Sequence, residues 1–192
     1  MSNLMPSIES CIDKLAINEN TQADERNAKK SKEYIEWEEY FMLTAKVTSL
    51  RSKDPNCQVG CVIVDENKHI VGTGYNGFPV GCSDDDFPWG KGNENILDDK
   101  YAYVVHAEAN AILNKIKGDL KGTTIYTTLF PCNECAKLII QSGIKHVVYL
   151  EDRNKSIFLA SKRMFDAVNL EYRQYVFMKE KLSVTLSKSD FQ

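Results

Sequence analysis

TIYTTLFPCNECAKLIIQSGIKHVVYL, residues 124–150, decides how this chain is read. TIYTTL (124–129) is rich in β-branched residues and reads as a strand. PCNECAKLIIQSG (131–143) has a proline in its expected first turn and Gly143 at its end, the asymmetry of a helix. HVVYL (146–150) is a second strand. A strand, a helix and a strand in close succession form a crossover unit, expected to be right-handed.

Upstream, Trp37, Phe41, Ala45 and Thr48 recur at helical spacing within residues 33–49. Pro55 disfavours helical geometry at Asp54, so RSKDPN (51–56) ends that helix. VGCVIVD (59–65) and IVGTGY (70–75), joined by the short turn ENKH, read as a β-hairpin. Residues 76–103, carrying Gly77, Pro79, Gly81, Pro88, Gly90 and Gly92, form a long irregular connection, a kind usually functional or disordered. VVHAEANAILNKIK (104–117) reads as a helix. Downstream, Ile157, Ala160, Met164, Phe165 and Val168 mark another helix, and YRQYVF (172–177) a last strand. Strands alternating with helices after a hairpin imply an α/β, three-layer domain with a mixed sheet.

Residues 33–180 are expected to form this domain. Residues 1–32 read as a polar, flexible N-terminal extension with one amphipathic interval at Ile8, Cys11, Ile12 and Leu15, open to a mobile or a docking role. Residues 181–192 read as a C-terminal tail. The net charge of −3 gives no electrostatic reason for sequence-blind nucleic-acid binding. No apolar run approaches the roughly 20 residues of a membrane span. The first thirty residues lack the basic start and apolar run of a secretory signal and are too acidic for a transit peptide, so a cytoplasmic location is expected. Six cysteines in 192 residues are too few for a disulfide scaffold. In a reducing compartment they read as core thiols or metal ligands.

Two segments carry chemistry: His106-Ala107-Glu108 and Pro131-Cys132-Asn133-Glu134-Cys135, both at expected helix starts. A helix N-terminus favours thiolates, and thiolates three apart on one turn can grip one ion. One imidazole and two thiolates leave the fourth position of a tetrahedral zinc open for water, the catalytic arrangement. Glu108 is placed to move protons beside that water. H-x-E followed by P-C-x-x-C is the signature of zinc nucleobase deaminases. A CxxC pair alone also suits a dithiol redox pair or half of a closed zinc site. The first lacks its usual flanking aromatic here, and the second lacks an obvious fourth ligand. His69 falls in the hairpin turn and His146 at a strand start, where surface or core roles are the default. Cys57 and Cys61 would share a face if both lay on one strand, and buried thiols are the expectation over a second metal site. Cys82 carries no assignable role.

HAEANAI (106–112), TTLFPCNECAKLIIQSGIKHVVYL (127–150), RSKDPNCQVGCVIV (51–64) and GYNGFPVGCSDD (74–85) resemble the deoxycytidylate deaminases of the cytidine and deoxycytidylate deaminase family, which convert dCMP to dUMP. The resemblance runs from about Tyr34 to about Val176. It implies the cytidine deaminase-like fold, a five-stranded mixed sheet between helices, and dUMP supply for thymidylate synthesis. It implies that His106, Cys132 and Cys135 hold catalytic Zn2+ and that Glu108 shuttles protons. Asn76, Ala107 and Asn110 are implied near the substrate. Gly74, Tyr75, Gly77, Gly81 and Asp84, in the segment 74–86, are implied near a regulatory nucleotide with Mg2+, its glycines exposing backbone N–H groups to phosphate. dCTP activation, dTTP inhibition and a homohexamer are further implications. Between Cys82 and His106 there is no other histidine or cysteine, so one zinc per subunit is expected.

Overall fold

β1 (Gly60–Val64) is buried along its whole length, and its neighbours explain why. It pairs antiparallel with β2 (Ile70–Tyr75) on one side and with β3 (Thr124–Leu129) on the other. β3 continues in parallel to β4 (His146–Glu151), and β4 to β5 (Glu171–Gln174), giving a five-stranded mixed sheet in the order β2-β1-β3-β4-β5. The description rests on a computed structural model and covers residues 30, 34–152 and 156–177. The amphipathic interval at Ile8, Cys11, Ile12 and Leu15 and the tail 181–192 lie outside the described residues.

Strand side chains alternate between faces, and the core divides accordingly. Val62, Val64, Tyr126 and Val148 meet Phe41, Met42 and Ala45 of α1 (Trp37–Ser49). Cys61, Ile63, Ile125, Val147 and Tyr149 form the opposite core. Three helices contribute to it: α2 (Ala107–Leu113) with Ala107 and Ala111, α3 (Asn133–Gln141) with Ala136 and Ile139, and α4 (Ser156–Ala167) with Phe158 and Phe165. The expected three layers are present. No helix among the described residues is long and apolar enough to cross a membrane.

The differences from the sequence reading have local causes. α2 is shorter than the expected 104–117 because Val105 is held extended by reciprocal backbone bonds with Gly77, and Ile116 N–H bonds back to Val71. α1 begins at Trp37 rather than at residue 33. Pro131 precedes the N-cap Cys132 of α3 instead of lying in its first turn. Gly143 follows the helix at φ 82°, where a side chain would be strained. Cys57 precedes β1 and is half-buried, so it does not share a strand face with the buried Cys61.

Gly74 and Tyr75 belong to β2, and the long connection starts at Asn76, as the sequence predicts. Gly74 lets α2 approach the sheet: a Cβ there would stand 2.3 Å from the Ala107 carbonyl and from the Ala111 nitrogen. Gly74→Ala should therefore displace α2 and lower stability by about 1–3 kcal/mol through overpacking. A urea melt checks this; an unchanged midpoint would show that α2 shifts freely.

Candidate active site

His106 is the N-cap of α2 and Cys132 the N-cap of α3, and neither side chain caps its own helix. Both side chains are thereby available to each other. Cys132 Sγ lies 3.3 Å and Cys135 Sγ 3.4 Å from His106 Nδ1. Among the described residues, His106, Cys132 and Cys135 form the cluster able to hold a metal ion, with ligand atoms within 4.8 Å of one another. Zinc–sulfur bonds of about 2.3 Å and zinc–nitrogen bonds of about 2.0 Å at tetrahedral angles separate donor atoms by roughly 3.5 Å. The cluster matches that spacing, and its donors are those zinc prefers.

Electrostatics favour a cation there. The hydrogen bond from Cys135 holds the Cys132 thiol at about 4, against the effect of its burial. The same bond, followed by burial, pushes the Cys135 thiol far up, so the two sulfurs share one proton. A metal ion binding both as thiolates must displace that proton. His106 is raised, chiefly by its contact with Cys132. Glu108, 4% exposed, reaches within 3.4 Å of Cys135 Sγ through Oε2. Burial pushes its carboxyl above the ordinary range. Three protein ligands leave the fourth position of a tetrahedral zinc open, which is what separates a catalytic from a closed site, and the Glu108 carboxyl lies beside the cluster.

Residues 35–151 match the family described as the cytidine and deoxycytidylate deaminase zinc-binding region. The chain belongs to the cytidine and deoxycytidylate deaminase family. It is a hydrolase of that family. A Drosophila melanogaster protein described as a probable deoxycytidylate deaminase is 54% identical over 162 residues, 81% of this chain and 80% of that protein. The Homo sapiens deoxycytidylate deaminase is 51% identical over 154 residues, 79% of this chain and 86% of the relative. The dCMP deaminase of cyanophage S-TIM5, solved with dCMP and dUMP, is similar at TM-score 0.59 and 26% identity, covering 74% of this chain and 99% of that one.

Around the deaminase cluster a cavity is lined by His106, Ala107, Glu108 and Cys132, with Asn76 on its wall. Asn110, implied near the substrate, does not line this cavity; its Nδ2 donates to the Tyr75 carbonyl at 2.8 Å. Two residues past Glu108, it is rotated by about 200° to the other side of α2. Its work is to tie α2 to the end of β2. Gly77 also differs from expectation: its N–H and carbonyl are both bonded to Val105, so that N–H is not offered to phosphate. Gly81, at φ 92° and with open space around it, keeps an exposed backbone. Asp84 pairs with Lys53 across the surface.

The remaining wall was not read as functional from sequence. Asp54, Cys57, Lys100, Tyr101 and Phe158 all line the cavity. RSKDPN was read as a helix terminator, and that motif was the available signal for Asp54. Lys100 has no local signal, since a lysine in a polar connection reads as solvated.

Proposed function

We propose that the chain hydrolyses dCMP to dUMP and ammonia, with zinc held by His106, Cys132 and Cys135. The observation that carries the reading is Glu108, a buried carboxylate aimed at a three-donor metal cluster, which a closed zinc module would not need. Half-identity to deoxycytidylate deaminases over about four-fifths of the chain supports dCMP as the substrate. Zinc bound there would supply a nucleophile at neutral pH by lowering the pKa of a coordinated water to about 7. Glu108 accepts a proton from the attacking water and delivers it to the ring nitrogen beside the amino-bearing carbon. It then takes the remaining proton of the added hydroxyl and passes it to the amino group, which leaves as ammonia as the carbonyl forms. Ala107 and Asn76 bound the nucleotide on the cavity wall. Turnover of dCMP well above that of deoxycytidine and cytosine is the expected result; preference for a free nucleoside would overturn the assignment.

The same reading includes dUMP supply for thymidylate synthesis, a cytoplasmic homohexamer, and control by dCTP and dTTP with Mg2+. The effector site is placed at the end of β2 and the following connection, around Tyr75, Gly77, Gly81 and Asp84, with Gly74 supporting them from within the sheet. An effector acts only by binding one of two arrangements more tightly. Coupling typical of allostery should make dCTP with Mg2+ lower half-saturation by dCMP about 5–150-fold, and dTTP raise it. Hyperbolic dCMP saturation that neither nucleotide alters would remove the regulatory part.

A further inference from the structure

The long connection between β2 and α2 is pinned by one buried ion pair, and that pair ends on the active-site cavity. Lys100 is 3% exposed and Asp54 4%, with Lys100 Nζ 2.5 Å from Asp54 Oδ2. The same oxygen accepts Asn76 Nδ2 at 3.1 Å, while Asp54 Oδ1 accepts the N–H groups of Asn56 and Cys57 at 2.8 and 3.2 Å. Asn76 gives its other amide proton to the Cys57 carbonyl at 3.0 Å and accepts Val59 N–H on Oδ1 at 2.8 Å. Lys100, Asp54 and Asn76 line the cavity together with His106 and Glu108.

Anchoring the connection does not by itself call for a charge. Phe78 packs tilted against Trp89 and Phe87 with centroids 4.2 and 5.6 Å apart, and Phe87 meets Tyr103 at 5.0 Å, so the connection already has an apolar cluster of its own. A buried ion pair is commonly no more stabilising than apolar side chains of the same shape. Its distinctive property is directional. An ionised carboxylate only accepts hydrogen bonds, so an Asn76 amide facing it must present Nδ2. The Cys57 carbonyl and the Val59 N–H demand the same orientation, so the carboxylate is the third partner that fixes it. Burial alone pushes the Asp54 carboxyl up, and the bonds from Lys100, Asn56 and Cys57 outweigh it, leaving Asp54 below its ordinary value. Without Lys100 the balance moves toward the protonated acid, which also donates, and the Asn76 amide loses the carboxylate that reinforces the orientation set by Cys57 and Val59.

We propose that Lys100 is a positioning residue: by keeping Asp54 a carboxylate it completes the three-partner hold, with the Cys57 carbonyl and the Val59 N–H, that keeps the Asn76 amide in place on the wall of the deaminase cavity. The proposal rests on the dCMP reading only for its kinetic test. Lys100→Met and Asp54→Asn are made singly and together, with zinc content, dCMP kinetics and the Asn76 side-chain amide NMR signals measured. Lys100→Met should raise KM for dCMP about 10-fold or more, change kcat far less and leave zinc bound. In the Asp54→Asn background the same change should add about twofold or less, because no carboxylate remains for the ammonium to hold. Equal losses in both backgrounds, together with lost discrimination between dCMP and deoxycytidine, would show that Lys100 acts on the substrate directly and overturn the proposal.

The amide signals decide the matter even if dCMP is not the substrate. In the wild type both Asn76 Nδ2 protons are bonded and buried, and Lys100→Met should raise their solvent exchange about 10-fold or more. Unchanged signals overturn the proposal. Lys100→Gln, which keeps a donor without the charge, repeats the comparison if the methionine variant does not fold.

Discussion

Glu108→Gln is expected to slow dCMP turnover by about 10²–10⁴-fold while zinc stays bound. Glutamine preserves the shape of a side chain that is 4% exposed and packed beside Cys135, so the cavity survives the change. It removes the group proposed to pass one water proton to the ring nitrogen and the second, from the added hydroxyl, to the departing amino group. Burial raises the Glu108 carboxyl, which makes its carboxylate a stronger proton acceptor than an exposed glutamate. Zinc analysis beside steady-state turnover makes the test. A zinc-loaded variant that keeps most of its activity would sink the proton-shuttle role.

Cys135→Ala should abolish activity by a different route. The cluster has three protein donors, and removing one leaves a two-ligand site from which zinc escapes. The wild type should contain about one zinc per chain, a site of this kind being able to hold a single ion. The variant should contain much less and lose turnover in proportion. Cys135 is also 2% exposed, and alanine leaves a small void, so circular dichroism must show that the fold persists. A chelator applied to wild-type protein should reproduce the loss, and added zinc should reverse it. Two tightly bound zincs in the wild type, or full activity in Cys135→Ala, would contradict the assignment.

The Glu108 and Cys135 experiments fail in distinguishable ways. Loss of metal with loss of activity reports on the cluster, whereas loss of activity with metal retained reports on proton transfer. Lys100→Met belongs to neither class, since its expected signature is KM with zinc and most of kcat intact.

The sequence by itself determined the elements and their chemistry wherever the cause lies within a turn or two. The continuous β-branched runs of β1 and β3, the glycine closing α3 and the Cys-x-x-Cys turn are short-range patterns, and each stands where expected. The same holds for the helix-start positions of His106 and Cys132. Tertiary structure decided what meets across the chain. Cys132 reaches His106 across 26 positions of sequence, and Lys100 reaches Asp54 across 46. Neither meeting leaves a periodic trace, because each depends on sheet register and on how closely α2 can approach β2 over Gly74. Asn110 and Gly77 show the converse: each sits in a suggestive motif, yet helix rotation turns one away from the cavity and a bridge to Val105 occupies the other. Residue type and spacing specify which groups are available for chemistry. Only the packed backbone specifies which of them share a cavity, because that depends on contacts between segments whose positions no local pattern encodes.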